Sequence, residues 1–175
     1  MKNSFKEVRL FIGLVLSCLV ISVFASCSQP SNNVPNLPVL PVSAEANLDD
    51  AFLGTWENND YGFTSTYSVA KKQIKDESMG VWYDVVSSEV VVSADGYTLV
   101  FCQIAEGHGT EWTPAGGYHV VALKYNSGTS KLDIFCPVNT SGYTSLSLLQ
   151  NAHPSTYNVG DNISFSPTSC TKVTN

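Results

Sequence analysis

Arginine is almost absent from this sequence, since Arg9 is the only one in the chain. The guanidinium group of arginine is the group best suited to bidentate binding of phosphate and carboxylate. The chain after Arg9 has no such group. Acid also exceeds base, with nine Lys and Arg residues against 15 Asp and Glu. Scattered lysines on an acidic chain do not form the basic surface that binds a nucleic-acid backbone. The composition therefore excludes nucleic acid as a partner.

Recognisable catalytic and nucleotide-binding motifs are missing as well. The sequence contains no G-x-S-x-G nucleophile elbow, no H-E-x-x-H zinc motif, no P-loop and no G-x-G-x-x-G dinucleotide fingerprint. Cys102 and Cys136 lie in apolar, strand-like runs, where a thiol is inert. We therefore expect no enzymatic activity and no cofactor.

The N-terminus has the layout of an export signal. Lys2, Lys6 and Arg9 precede an uncharged apolar run from Leu10 to Phe24, which matches a basic segment followed by a core of about 7–15 apolar residues. A membrane-spanning helix needs about 20 such residues, so this run is short for one. An uncleaved anchor helix is the alternative.

Cys27, just after this run, has three candidate roles: half of a disulfide, a metal ligand or a lipid attachment point. The stretch Phe24-Ala25-Ser26-Cys27 resembles the lipobox of bacterial lipoproteins, although Phe24 stands where leucine is usual. The resemblance implies cleavage of a signal peptide, residues 1–26, and a diacylglycerol on the Cys27 thiol. It implies a membrane partner through that lipid and a place in the bacterial cell envelope, with the outer membrane as the expected site.

Cleavage would leave a proline-rich segment ahead of the remaining chain. Loss of residues 1–26 removes three cations and one anion and lowers the formal net charge from −6 to −8. Residues 27–46 hold four of the eight prolines, and proline at this density favours an extended, semi-rigid spacer. We expect residues 27–46 to form a tether and residues 47–175 to form one domain. A coil that packs onto the domain is the alternative for the tether.

Three cysteines remain in the expected domain: Cys102, Cys136 and Cys170. Export permits disulfides, but an odd number allows at most one pair within the chain. We expect a disulfide that joins Cys170, in the C-terminal tail, to Cys102 or Cys136. Three buried, reduced thiols are the alternative.

Short β-favouring runs between turn-forming residues predict an all-β domain. Asp95-Gly96 between two apolar runs is a strong hairpin signal. About seven to nine short antiparallel strands in a barrel or a sandwich account for the pattern. In residues 61–70, alternation predicts a strand whose buried face is formed by Tyr61, Phe63, Tyr67 and Val69.

Other segments are assigned from the same pattern. Residues 81–86 and 89–93 are expected to be two strands, and the charged stretch 71–77 a solvated edge or loop. Residues 144–152 predict one short helix near the C-terminus, with Thr144 as its N-cap and leucines 146, 148 and 149 on roughly one side.

Gly54-Thr55-Trp56, at the start of the first predicted strand, resembles the G-x-W signature of lipocalins. Together with the lipobox, the proline-rich segment and the paired hairpins, it makes the chain similar to small lipocalin-like lipoproteins of bacteria. The resemblance implies an eight-stranded barrel closed at one end by Trp56 and open to small hydrophobic ligands at the other. Lipocalins place an arginine against this tryptophan, and a lysine such as Lys172 would have to replace it. An ordinary core aromatic is the alternative for Trp56.

Aromatic residues supply the candidate binding surface. Small-molecule pockets combine aromatic walls with a few polar groups. Binding of a small hydrophobic ligand is therefore the first functional hypothesis, a surface or adhesion module without a cavity is the second, and an envelope enzyme of unknown reaction is the third. The candidate lining residues are Tyr67, Trp82, Tyr83, Trp112 and Tyr118.

One polar cluster contains residue types that bind divalent metals, namely Glu106, His108 and Glu111. It lies in the glycine-containing run EGHGTEW, whose spacing defines no coordination geometry. A flexible polar loop is the favoured interpretation, and we expect no metal.

Overall fold

The computed structural model of the protein describes residues 43–60, 62–137, 140–162 and 167–174. The predicted signal peptide, Cys27 and most of the predicted tether lie outside these ranges, as does Tyr61.

Eight strands form a closed barrel in which each strand pairs with the next along the chain. The ring closes where the last strand pairs antiparallel with the first, with Trp56 opposite Lys172. The all-β prediction is therefore confirmed, and of the two architectures left open the barrel is the correct one. The strands are β1 (Gly54–Asn58), β2 (Ser65–Val69), β3 (Gln73–Asp76), β4 (Val81–Val92), β5 (Thr98–Ile104), β6 (Tyr118–Asn126), β7 (Lys131–Phe135) and β8 (Thr168–Lys172).

The two ends of the barrel are covered differently. At the proximal end, where β1 begins and β8 ends, the chain enters through residues 43–53, which include a 3-10 turn at Asp50–Phe52. At the distal end lie the β1–β2, β3–β4 and β5–β6 connections and the chain that follows β7. The strands run alternately up and down, so successive connections fall at opposite ends.

The entering segment packs against the proximal end. The N–H groups of Ala44 and Ala46 donate to the carbonyls of Val85 and Lys71, each at 2.8 Å. Ala46 is also buried in the barrel core. The described part of the predicted tether, residues 43–46, is therefore attached to the barrel.

The predicted hairpin at Asp95-Gly96 is confirmed by the pairing of β4 with β5. Gly96 has φ of 83°, a conformation that glycine adopts without steric penalty. The segments 81–86 and 89–93 are not two strands but one, β4, whose pairing register with β5 shifts between Val85 and Val90. Such an irregularity bends a strand without ending it.

Two strand predictions were wrong in detail. The charged segment 71–77 is not a solvated edge, because it contains β3, where Ile74 and Asp76 are buried. A closed ring leaves no edge strand for such a segment to occupy. The strand predicted over residues 61–70 begins only at Ser65. Phe63 therefore lies in the β1–β2 connection and is 62% exposed, whereas Tyr67 and Val69 are buried as expected.

Alternate residues of the strands point inward and form the barrel core. Large apolar side chains fill this core. Its fully buried large members include Trp56, Ile74, Leu123, Leu132 and Ile134.

A second apolar cluster lies outside the barrel wall. It joins the outward faces of β5 and β6 to two short helices, α1 (Leu146–Ala152) and α2 (Val159–Asn162). The predicted short helix is confirmed as α1, but Ser145 rather than Thr144 is its N-cap, since its side chain accepts from the Leu148 N–H. Of the helix leucines, Leu149 is buried and Leu148 is exposed, because a helix that lies on the wall contacts it on one side only.

Candidate functional site

Trp56 is buried in the barrel core and is hydrogen-bonded to the segment that enters at the proximal end. Its side chain is 1% exposed, and its Nε1 donates to the Phe52 carbonyl at 2.9 Å. Lys172 Nζ lies 5.4 Å from the centre of the Trp56 ring, within range of a cation–π interaction. Lys172 therefore contacts Trp56, in the place where the resemblance to lipocalins would put an arginine.

Gly54 of the G-x-W tripeptide makes this contact possible. Its φ is 124°, which side chains of other residues rarely tolerate. A Cβ at this position would also lie 3.0 Å from Lys172 Cε. Glycine is therefore needed both for the backbone conformation and for the approach of the lysine, and the proximal end is a closed, structural end.

The distal end carries the polar inward-facing groups. Asn58, Ser65, Asp76 and His119 are buried polar residues, and each lies at the distal end of its strand. Asn58 Nδ2 donates to Asp60 Oδ2 at 2.7 Å and to the Ser169 carbonyl at 2.8 Å. Polar groups buried at one end of an apolar barrel mark that end as the candidate site.

Asp76 is the acidic member of this group. It is 4% exposed, and its Oδ1 accepts from the Met79 N–H at 3.0 Å. Burial raises the pKa of Asp76, and hydrogen bonds from the Met79 and Ser78 backbone only partly oppose that effect. The carboxylate is therefore held in an unfavourable environment for its charge.

Two tyrosines flank Asp76 inside the barrel. Tyr67 is its partner across the β2–β3 pair, and Tyr83 lies opposite Ile74 in the β3–β4 pair. The Tyr83 hydroxyl donates to the Pro137 carbonyl at 2.9 Å. Burial, with a further contribution from the charge of Asp76, raises the pKa of Tyr67 to about 12. Burial raises the pKa of Tyr83 as well, so both phenols keep their protons at neutral pH.

His119 is the fourth buried polar residue of the distal end, and its ring contacts Tyr83. The two rings meet edge to face with centroids 6.4 Å apart. His119 is 3% exposed, and its buried Nε2 has no hydrogen-bond partner among the described residues. Burial lowers the pKa of His119 to about 4, so the imidazole is neutral at neutral pH.

Two glycines lie against the His119 ring. A Cβ at Gly142 would collide with Nε2, and one at Gly117 would lie 3.1 Å from it. The backbone of the β5–β6 connection and of the chain after β7 thus approaches the imidazole closely. An unpaired buried nitrogen is rare in folded proteins, which makes His119 a functional candidate.

The five predicted aromatic residues do not share one surface. Tyr67 and Tyr83 both belong to the inner core of the barrel. Tyr118 packs instead in the outer cluster, and Trp112 is 65% exposed on the β5–β6 connection. Trp82 faces outward, stacked on the His108 ring at 3.3 Å and with Lys75 Nζ at 3.9 Å from its ring centre. Both faces of Trp82 are therefore occupied by the protein itself.

The acidic and histidine cluster of the β5–β6 connection is not assembled into a metal site. His108 stacks on Trp82, while Glu106 and Glu111 are exposed. Within the described ranges, no three His, Cys, Asp or Glu side chains are placed to hold a metal ion.

The three domain cysteines are free thiols in the structure. The expected disulfide from Cys170 to Cys102 or Cys136 is thus not formed, and the arrangement matches the reduced alternative. Cys102 and Cys170 are fully buried, and burial raises the pKa of Cys170 to about 12. A thiol in that state is a poor nucleophile.

Apolar side chains are exposed on three distal connections. Phe63 lies on β1–β2, Met79 on β3–β4 and Trp112 on β5–β6, and we call these three residues the apolar tips. Met79 is 50% exposed. Hydrogen bonds join the first two connections, since Ser78 Oγ donates to the Thr64 carbonyl at 3.4 Å and accepts from the Thr66 N–H at 2.7 Å. The apolar tips therefore surround the end at which the buried polar groups lie.

Sequence reasoning missed Asp76 and gave His119 no partner. The alternation of Ile74 and Asp76 with Gln73 and Lys75 is a strand signal, but three flanking charged residues in the stretch KKQIKDE obscured it. His119 follows Tyr118 at strand spacing, and its neighbour Tyr83 is distant in the sequence. No local pattern reveals that contact.

None of the helices in the described ranges is long and apolar enough to span a bilayer. Comparison of the chain with protein-family models, curated proteins and solved structures gave no match.

Proposed function

We propose that the protein is a lipid-anchored bacterial lipoprotein whose lipocalin-like barrel binds a small hydrophobic ligand at its distal end. The observation that carries the ligand proposal is the contrast between the two ends. Trp56 and Lys172 close the proximal end, whereas buried polar groups and the apolar tips gather at the distal end. The lipid on Cys27 is inferred from the lipobox.

The size of the inward side chains limits the ligand. An eight-stranded barrel is just wide enough for its side chains to fill it or for one small ligand. Large side chains such as Trp56 and Tyr83 fill most of the interior, while Ser65 and Asp76 are smaller inward residues at the distal end. A ligand would therefore bind in a shallow site, with its apolar part against Phe63, Met79 or Trp112.

The test combines native mass spectrometry with binding of a neutral fluorescent probe, N-phenyl-1-naphthylamine. Protein purified from its own host should carry a small molecule, or should bind the probe after that molecule is removed. Ser65→Leu would fill the distal interior and should abolish probe binding. Ser68→Leu is the matched control, because Ser68 lies on the outward face of the same strand. Equal binding by wild type and both variants, or binding by none, would contradict the proposal.

The apolar tips also favour a second candidate, an interaction module that binds a protein partner. Exposed apolar residues grouped at one end of a domain are typical of docking surfaces. A photoreactive residue at position 112 should then crosslink to one envelope protein, while the same residue at position 148 should not. Leu148 is a suitable control because it is an exposed apolar residue on α1. Equal crosslinking from both positions would exclude this candidate.

A further inference from the structure

Asp76 is a buried carboxylate without a cation. It faces the barrel interior on the same side of β3 as Ile74. The ion pairs of the described residues lie at the surface and involve other acids, Lys71 with Asp50 and Lys72 with Glu45. A buried charge is unfavourable unless a counter-ion or a full set of hydrogen bonds compensates it. The Met79 and Ser78 N–H groups supply only part of that compensation.

His119 provides an independent observation at the same end. Its inward position follows from its strand partner, Cys102, which belongs to the inner core. A neutral imidazole has one nitrogen that accepts a hydrogen bond, and Nε2 has no partner. Tyr83 contacts the His119 ring and also lies close enough to Asp76 to be affected by its charge.

Given the proposed ligand-binding function, on which this inference rests, we propose that the distal site selects a ligand with a protonated amine as its polar head. The Asp76 carboxylate would pair with the ammonium group. An ammonium group carries a positive charge and three donors, which match a buried carboxylate that has no cation among the described residues.

The same geometry disfavours an anionic head. A carboxylate or phosphate would face the Asp76 charge at close range, and like charges in a desolvated site repel strongly. The phenol of Tyr83 already donates to Pro137 and is not free to compensate. The apolar part of the ligand would contact Met79, whose backbone is joined to Asp76. The favoured ligand is thus a small apolar amine.

The experiment compares three probes that differ only in the head group: hexylamine, 1-hexanol and hexanoate. Binding to the full chain in phosphatidylcholine nanodiscs is measured by titration calorimetry at pH 7, with empty nanodiscs as the blank. We expect hexylamine to bind at least about tenfold more tightly than hexanol, which corresponds to about 1.4 kcal/mol. Hexanoate should bind more weakly than hexanol.

Asp76→Asn removes the charge but keeps an acceptor for the Met79 N–H. We expect it to reduce the preference for hexylamine over hexanol to less than about twofold, with hexanol affinity unchanged. Asp84→Asn is the matched control, since Asp84 lies on the outward face of β4 and carries the same charge. Its preference should equal that of the wild type.

The outcomes separate this inference from the proposed function. If hexanol binds but hexanoate binds as tightly as hexylamine, the amine inference is overturned and ligand binding stands. An unchanged amine preference in Asp76→Asn overturns it in the same way. If none of the three probes binds, the proposed function fails and the inference fails with it. If Asp76→Asn does not fold, the comparison of the three probes on the wild-type protein still tests the amine preference.

Discussion

Replacing Trp56 by alanine tests whether this side chain holds the proximal end closed. The indole is buried, donates a hydrogen bond to Phe52 at 2.9 Å and meets the Tyr125 ring at a centroid distance of 6.1 Å. Truncation of a buried tryptophan costs about 3–5 kcal/mol. The aromatic pair and the hydrogen bond account for about 1 kcal/mol each, and the lost burial and the cavity account for the rest. We expect a loss of about 4 kcal/mol.

The assay is urea unfolding of the mature protein, followed by far-UV circular dichroism because the substitution removes a fluorophore. A fall in the midpoint at constant m-value would show that stability, rather than the exposed surface, has changed. Trp56→Phe should give a smaller loss, since it keeps most of the buried area but not the N–H donor. A loss below about 1 kcal/mol for Trp56→Ala, typical of a surface substitution, would refute the structural role assigned to Trp56.

A double-mutant cycle isolates the contact with Lys172. Its Nζ lies 5.4 Å from the Trp56 ring centre, and a partly exposed cation–π pair contributes about 0.5–1 kcal/mol. The losses caused by Trp56→Ala and Lys172→Met should therefore fall short of additivity by about that amount. Lys131→Met, on the neighbouring strand β7, should add to Trp56→Ala without coupling. If the losses caused by Trp56→Ala and Lys172→Met were fully additive, the lysine would contribute no interaction energy with the ring.

Three further predictions concern the anchor, the buried histidine and the thiols. Cys27→Ser should release the protein from membranes in cell fractionation, whereas Cys18→Ser should not; continued attachment would identify residues 10–24 as the anchor. His119 has a pKa of about 4 in the folded state against about 6.5 when unfolded. The free energy of unfolding should therefore fall as pH drops from about 6.5 to 4. In urea unfolding at a series of pH values, His119→Gln should flatten that part of the profile. Parallel profiles for the two proteins would assign no such role to His119. Thiol titration of the denatured mature protein should find all three domain cysteines reactive, and a count of one would restore the disulfide.

Local signals predicted much of the fold, because each hairpin is specified by residues close in the sequence. The Asp95-Gly96 turn and the β6–β7 pair are examples. Closure of the ring depends instead on the pairing of Trp56 with Lys172. No local pattern specifies contacts of such separation, so a barrel and a sandwich were equally compatible with the strand pattern.

The site was less predictable than the fold. Tyr67 and Tyr83 were named from aromatic content, and the structure places both in the inner core. Trp82 and Trp112 were named on the same grounds, but Trp82 faces outward and Trp112 lies on the β5–β6 connection. Which face an aromatic occupies depends on strand register, and a shift of one residue reverses it. Asp76 went unnoticed because charge normally indicates exposure.

The proposed location of the binding site at the distal end has a consequence for mutagenesis. The chain enters at the proximal end through residues 43–53. Asp76, His119 and the apolar tips lie at the opposite end. Substitution of Lys172, which ends β8 at the proximal end, should therefore lower stability with little change in head-group preference. Substitutions of Asp76 should change that preference with little change in stability, provided the acceptor for the Met79 N–H is kept. Separate effects of the Lys172 and Asp76 substitutions on stability and on head-group preference would support recognition at the distal end.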